Sequence, residues 1–452
     1  MRKGAKCSMQ NSTIVLYHLS NQAIKDDFVF DRLYRQLYNE DFYIKAYQNL
    51  NKKPMTQAVK EKVTDIIQQL KYESYHPTAI IQSKRPNFSD QLLLEVCRML
   101  LQAIYEPNFS NHSHSYQPNK SCHTALKEIK QTFSTINWFI TGNIKDFYET
   151  MDYQVLIQIL RKRIKDEKFI RLMWKFLKAG YLRDWEYNQT FSQTAKGGII
   201  SPILSNIYLN ELDQYVNTHL KSSFEHPANF NKDSLNNKLV YVRYADQFVL
   251  GVNGSKKDSE QLLLLVKDFL KSLQLQLKEE SSKVIHHTKS IVFLNYELSI
   301  QTPSLMDKRV QLLIPKRTIE KWIMKHKMVK NIDAKPWVML HRTKLVGLTD
   351  LEIIKTYNSE LFAFYQYYSM ADNVSQKLWQ LHHVYEYSCL KTLANKYKST
   401  VTKIRKKYKQ GKYFGVLLKQ NGEERIIYFY KDGYKKKNGS TKLEVDYLPI
   451  KK

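Results

Sequence analysis

YVRYADQFVLGV, residues 241–252, sets two apolar, β-forming runs on either side of Ala245-Asp246. Runs rich in Val, Tyr and Phe read as strands, and the short polar break between them reads as a tight turn. A carboxylate, Asp246, and an amide, Gln247, then sit together at the tip of a hairpin. About a hundred residues earlier, WFITGNIKDFYETMDY (138–153) begins with a second buried-strand pattern, Asn137 to Ile144, and carries Asp146 just beyond it.

Working outward, 27–151 is mainly helical. FDRLYRQLYNEDFYIKAYQNL and SDQLLLEVCRMLLQAIYEP repeat apolar residues at three- and four-residue intervals. DSEQLLLLVKDFLKSLQLQLKEE predicts an amphipathic helix that starts near Asp258 or Ser259, and SKVIHHT and SIVFLNYELSI predict two short strands. After Pro315 the pattern is helical, through KRTIEKWIMKHKMV, LEIIKTYNSELFAFYQYYS and NVSQKLWQLHHVYEYSCLKTLANKY. The final forty residues place Asn-Gly and Asp-Gly turns between short β-like runs, as in a small meander.

The 452 residues carry 71 Lys and Arg against 43 Asp and Glu, a formal charge of +28, so a polyanionic partner is expected. The 31 tyrosines, interleaved with lysines, favour RNA over a lipid surface, because aromatic faces stack unpaired bases. Four scattered cysteines (Cys7, Cys97, Cys122, Cys389) exclude a zinc ribbon and a disulfide scaffold. His112, His114 and the Cys122-His123 pair read as loop residues without ligand spacing, so no metal or other cofactor is expected. No apolar run reaches the roughly 20 residues of a membrane span. Abundant Asn, Lys, Ile and Tyr suit A+T-rich codons and hence an organelle genome.

With these segments in place, the chain resembles the reverse transcriptase/maturases encoded by group II introns, over almost all of 27–408. The resemblance lies in FDRLYRQLYN, QAIYEPNFSNHSHSYQPNKSCHTALKEIK, LRKRIKDEKFIRLMWKFLKAGYL, GGIISPILSNIYLNELDQYV and VRYADQFVLGVNGSKKDSE, and in LFAFYQYYSMADN with YEYSCLKTLANKYKST. The last two resemble domain X, the family's RNA-binding module. The resemblance implies an α+β fold: a reverse-transcriptase-like palm with reduced fingers, then an all-helical thumb/domain X. It implies a helical N-terminal region and fingers at 1–90, palm at 91–305, thumb and domain X at 306–410, and a basic C-terminal tail with short strands at 411–452.

Departures from the family cluster at the polymerase chemistry. The family's first catalytic motif begins with Asp where this chain has Asn143, and its Y-x-D-D hairpin has Asp where this chain has Gln247. Two magnesium ions about 4 Å apart repel by on the order of 16 kcal/mol at an effective dielectric of about 20. Carboxylates offset that repulsion, and of the expected three only Asp246 remains. Asp146 is three residues along, which on a strand turns it to the opposite face. Only six residues separate Tyr75-His76-Pro77 from Lys84-Arg85-Pro86, where the family inserts a basic hairpin, and NFSDQ replaces the LGIP-like sequence that follows. Ala195 and Lys196 replace the Pro and Gln of TPQGG, and Asn295 replaces the Gly of FLGY.

Domain X is better kept. Part of the row Phe362, Phe364, Tyr365, Tyr367, Tyr368 must pack the helical core, and the rest, Tyr365 and Tyr368, is assigned to base stacking. Nine basic residues (Lys391, Lys396, Lys398, Lys403, Arg405, Lys406, Lys407, Lys409, Lys412) follow with no acidic one among them. Exposed helices usually mix charge signs, so phosphate contact is favoured over a solvated face. The Lys435 to Lys437 run is read as solubilising or weakly RNA-binding.

The expected function is a splicing cofactor for a group II or derived (group III) intron, with polymerase activity lost and no catalytic residue of its own. The preferred kin are the short plastid maturase-like proteins of euglenoids, which implies an organelle-encoded plastid protein, with the mitochondrion as second choice. Structured intron RNA is the expected partner and no membrane is involved; a homodimer is left open. The alternatives are an active RNA-directed DNA polymerase of an intron retroelement and a general organellar RNA-binding protein.

Overall fold

The computed structural model describes residues 11–25, 27–80, 87–181, 198–225, 237–304, 307–334, 336–420 and 423–446. Cys7, Lys84, Arg85, Pro86, Ala195 and Lys196 lie outside the described residues. The chain divides into two units, one within 1–118, 137–188 and 194–284, the other within 119–136, 189–193 and 285–452.

The first unit contains the sheet that the two opening motifs predict. Its strands are β1 (Trp138–Asn143), β2 (Lys238–Tyr244) and β3 (Gln247–Asn253), in the order β2-β3-β1, and the unit ends on the first residue of β4 (Val284–His286). β2 and β3 form the hairpin, with Ala245 at φ 53 in the left-handed region. β1 pairs antiparallel with β3, so that Gly142 lies opposite Phe248. A Cβ on Gly142 would stand 2.0 Å from Phe248 Cζ, so only glycine lets that ring cross the strand.

Helix Phe88–Tyr105 lies at the heart of the same unit. It is apolar on nearly every side, with Leu92, Leu93, Val96, Cys97 and Leu100 all fully buried, as a central helix requires. Two acids are buried with it. Asp90 accepts the hydroxyls of Tyr75 and Tyr181, each at 2.6 Å, and Glu95 takes Arg98 at 2.7 Å. The helical stretch expected over 30–50 breaks into Leu33–Gln36 and Glu40–Asn51, because the Asn39 side chain accepts from Asp41 N–H and caps the second helix. Helix Lys256–Ser272 starts earlier than expected: Ser255 is its cap, in a reciprocal box with Asp258.

In the second unit β5 (Ile291–Phe293), β6 (Tyr296–Ser304) and β7 (Asp307–Leu313) form an antiparallel sheet. The β6–β7 hairpin spans the boundary expected at 305/306. The β5–β6 turn is Leu294-Asn295, at φ 49 and 57. Asn tolerates the left-handed region nearly as Gly does, so Asn295 is a conformationally neutral replacement and says little about lost chemistry. Helices Thr318–Lys325, Asp350–Tyr368, Val374–Lys396 and Val401–Lys407 follow. Then come β8 (Lys409–Gln410), β9 (Tyr413–Gln420) and β10 (Glu423–Tyr428) in the order β10-β9-β8. This second module therefore contains sheet as well as helix.

Helix Cys122–Thr132 clusters with this unit and not with the palm. His123 is thus a buried helical residue, not a loop one. Its Nε2–H donates to Tyr367 O at 2.6 Å while Nδ1 accepts from Ser440 N–H at 3.1 Å. Burial pulls its pKa down to about 4. Cys97, Cys122 and Cys389 are free and buried, and burial raises all three thiols.

Candidate functional site

The β1–β3 register sets Asn143 directly opposite Gln247. The two amides found separately in the sequence are therefore cross-strand partners, with Asp246 next to them in the turn. Ile144 N–H donates to Asp246 O and Lys278 N–H to Asn143 O, at 2.9 and 2.8 Å. Asn143 Oδ1 is buried without a hydrogen-bond partner.

What holds the turn is Arg243, which the sequence reading passed over. Its side chain is 1% exposed. Nε and Nη2 grip Asp213 at 2.7 and 2.6 Å, Nη1 donates to Ala245 O at 3.0 Å, and Nη2 donates to Ser113 Oγ at 2.8 Å. Tyr241 OH adds a third donor to Asp213 at 2.8 Å. Helix Ser201–Gln214 delivers Asp213, so the hairpin tip is tied to that helix through one buried ion pair.

Asp246 is half-buried, and desolvation pushes its pKa up to about 6 despite Lys278 and Arg243, which favour the charged form. Asp146 lies past the end of β1, in a left-handed turn that leads into Phe147–Thr150, with Lys278 Nζ at 3.8 Å. Strand alternation is thus not what removes it from the site; the strand has already stopped. One carboxylate with two neutral amides does not fit a pair of divalent ions, whose charge several carboxylates ordinarily offset. The residues present do not fit a two-metal centre.

A raised carboxyl pKa has a sign. The proton is held more tightly in the folded chain, so stability is full below about pH 4 and falls as pH rises through about 6. Asp246→Asn is therefore expected to stabilise the protein at pH 7 by about 1–2 kcal/mol, less than the ~3 of an undiscounted shift, because the side chain keeps some water. The gain should vanish near pH 4 in urea titrations; a pH-independent difference would refute the desolvation account.

In the second unit the basic stretch separates into two groups. Lys391 Nζ donates to Met339 O at 2.9 Å, and Lys396 Nζ donates to Leu348 O and Asp350 Oδ1, each at 2.7 Å. Asp350 also accepts Tyr397 OH at 2.6 Å and Tyr408 OH. Arg405 pairs with Glu386 at 3.2 Å, and Lys407 Nζ lies 4.1 Å from the Tyr397 ring centre. Lys398, Lys403, Lys406, Lys409 and Lys412 are exposed. Reading all nine as phosphate ligands is corrected accordingly: Lys391 and Lys396 are spent on the fold, because Asp350 and two carbonyls reach them from elsewhere in the chain.

The stacking assignment is also corrected. Tyr365 is 4% and Tyr368 2% exposed, and their hydroxyls bond Lys435 O at 2.7 Å and Asn295 O at 3.3 Å. A base needs an open ring face, and of the aromatic row only Phe362, 45% exposed, reaches solvent. The C-terminal segment, expected to carry short strands, packs against the helices of its own unit. Phe414 and Phe429 stack at 5.0 Å, Asn358 Nδ2 donates to Tyr428 O at 2.8 Å, and Tyr430 and Tyr434 close on Tyr365. In the Lys435 to Lys437 run, Lys436 bonds Asp372 and Lys437 Nζ lies 4.7 Å from the Tyr365 ring centre. A second buried ion pair, Arg342 to Glu360 at 2.6 and 2.9 Å, braces the helices.

A hairpin laid antiparallel beside β1, followed by a sheet-bearing helical module, defines a reverse-transcriptase-like protein with a maturase domain. The profile of the reverse transcriptase (RNA-dependent DNA polymerase) family matches 47–298, and that of the type II intron maturase family matches 307–447. The chain is 35% identical over 487 residues to group II intron-encoded protein LtrA of Lactococcus lactis subsp. cremoris, covering 89% of this chain and 81% of that protein. It is 30% identical over 450 residues to an uncharacterized 91 kDa protein in the cob intron of Schizosaccharomyces pombe, covering 82% and 55%. Nuclear intron maturase 1, mitochondrial, of Arabidopsis thaliana is 23% identical over 292 residues, covering 48% and 41%. The chain belongs to the group II intron reverse transcriptase/maturase family. The maturase match covers most of the segment expected as a basic C-terminal tail with short strands, 411–452. Relatives include mitochondrial intron proteins and a bacterial one, and members of the family bind intron RNA. Among the described residues no helix is long and apolar enough to cross a membrane.

Proposed function

We propose that this protein is a maturase that helps an organellar group II intron, or a reduced group III relative, to fold and excise itself, and that it no longer synthesises DNA. The observation that carries this reading is the pairing of Asn143 with Gln247 across β1 and β3, which leaves Asp246 as the single carboxylate at the hairpin tip. Chemistry then belongs to the RNA and its own ions, and the protein supplies a basic, shaped surface. A plastid setting, with the mitochondrion as alternative, rests on composition and on the resemblance to euglenoid maturase-like proteins.

The test pairs two assays. Purified protein is expected not to extend a DNA primer on an RNA template with magnesium or manganese. Asn143→Asp with Gln247→Asp should not rescue it, since the hairpin that covers the incoming nucleotide is also missing from the sequence. The same protein should accelerate excision of its intron at magnesium levels where the RNA alone is slow. Extension by the unmodified chain would overturn the proposal.

A further inference from the structure

The β8–β9–β10 sheet has an outer face of the wrong chemistry for a solvated surface. Its inner face carries Phe414 and Phe429, 5% and 3% exposed. An antiparallel sheet covered on one side normally turns polar residues outward. Among the described side chains the outward positions of β9 are Tyr413, Gly415 and Leu417, and those facing them on β10 are Tyr428 and Ile426. Tyr413 is 48% and Leu417 43% exposed. The two tyrosine rings meet edge to face with centres 6.3 Å apart. Gly415, opposite Tyr428, has no room for a side chain: a Cβ there would stand 2.8 Å from Ile427 O. Tyr413 and Tyr428 therefore form an aromatic step next to a strand position that only glycine fits.

Cations mark the rim. Lys431 Nζ lies 4.1 Å from the Tyr428 ring centre and 5.5 Å from that of Tyr413, and Lys412 is exposed next to Tyr413. Lys431 thus lies over the half-buried Tyr428 ring and close to the exposed Tyr413. The same ammonium can shift a few ångströms to meet a phosphate once a base takes the ring. Exposed aromatics with flanking lysines on a sheet form the chemistry that stacks unpaired nucleotides.

We infer that this sheet face binds unpaired RNA bases, with Tyr413 and Tyr428 as the stacking platform and Lys412 and Lys431 as phosphate contacts. The inference rests on the RNA-binding reading above but adds a site distinct from the Lys398–Lys409 stripe. A second copy of the chain is the competing occupant of such a face.

The full chain would be titrated with a fluorescein-labelled oligoadenylate and with an RNA duplex of equal length. Tyr413→Ala and Tyr428→Leu are each expected to weaken single-strand binding about tenfold. Tyr413→Phe should bind as the parent does, and duplex binding, the salt slope and Tm should stay unchanged. Unaltered single-strand binding in the Ala and Leu variants would overturn the inference, as would equal losses on single strand and duplex. Loss of a dimer in sedimentation with RNA binding intact would overturn it in favour of self-association. Failure of this site alone leaves acceleration of intron excision by the parent protein in place, whereas failure of the maturase reading shows as no acceleration of excision.

Discussion

Asp213→Ala is expected to destabilise the first unit by about 3–5 kcal/mol, a large share of the 5–15 typical of a folded domain. The guanidinium it leaves behind is 1% exposed, and both of its carboxylate contacts would be lost at once. Ser113 Oγ and Ala245 O remain, but a hydroxyl and a carbonyl do not neutralise a buried charge. Because Nη1 holds Ala245 O, the damage should centre on the hairpin tip, and hydrogen exchange in β2 and β3 should quicken before the rest of the unit opens. Adding Arg243→Met to the same chain should return part of the loss, since the unpaired charge is then gone. Urea titration of the two singles and the double measures the cycle. A cost under about 1 kcal/mol for Asp213→Ala would mean that the pair does not hold the hairpin.

The second large effect concerns RNA. Changing Lys403, Lys406 and Lys409 to Ala, with Lys398→Asn, should lower intron affinity about a hundred- to thousandfold at 0.1 M salt. Each phosphate contact contributes roughly 0.7–0.9 to the slope of log affinity against log salt. Four lost contacts therefore flatten that slope by about 3, and the variant and parent should converge toward 1 M salt. Asn is chosen at 398 because that residue has φ 45. All four side chains are exposed, so Tm should not move. An unchanged slope would place the RNA contacts elsewhere. Lys396→Ala should do the opposite, lowering Tm through the loss of its 2.7 Å contact to Asp350 with at most a small change in slope.

The hairpin and the long helices were legible because their signals are local: alternation, three-and-four periodicity and caps lie within a few residues of one another. The facing of Asn143 and Gln247 needed register as well as strand identity, and register depends on how Phe248 crosses Gly142. Partners from far along the chain were not legible. Asp350 meets Lys396 across 46 residues and Asp213 meets Arg243 across 30. Within the stretch that holds the nine basic residues the absence of acid was real, yet Asp350 and Glu386 reach it from outside. The aromatic row misled for a related reason. Tyr365 looks free on its own helix, and what covers it is Tyr430 and Tyr434, beyond the point where the helical signal ends. The platform of Tyr413 and Tyr428 left no trace in either sequence run, because cross-strand pairing alone brings the two rings together.

The facing amides also change what the hairpin needs in order to fold. A cluster of three carboxylates is self-repelling and depends on bound divalent ions as a counter-charge; Asp246 alone, already reluctant to ionise, makes no such demand. Placing an acid at either position would add a like charge beside Asp246, so each such change makes the tip harder to fold without a divalent ion. On the reading proposed above, the tip with its two amides folds without competing with the intron for magnesium.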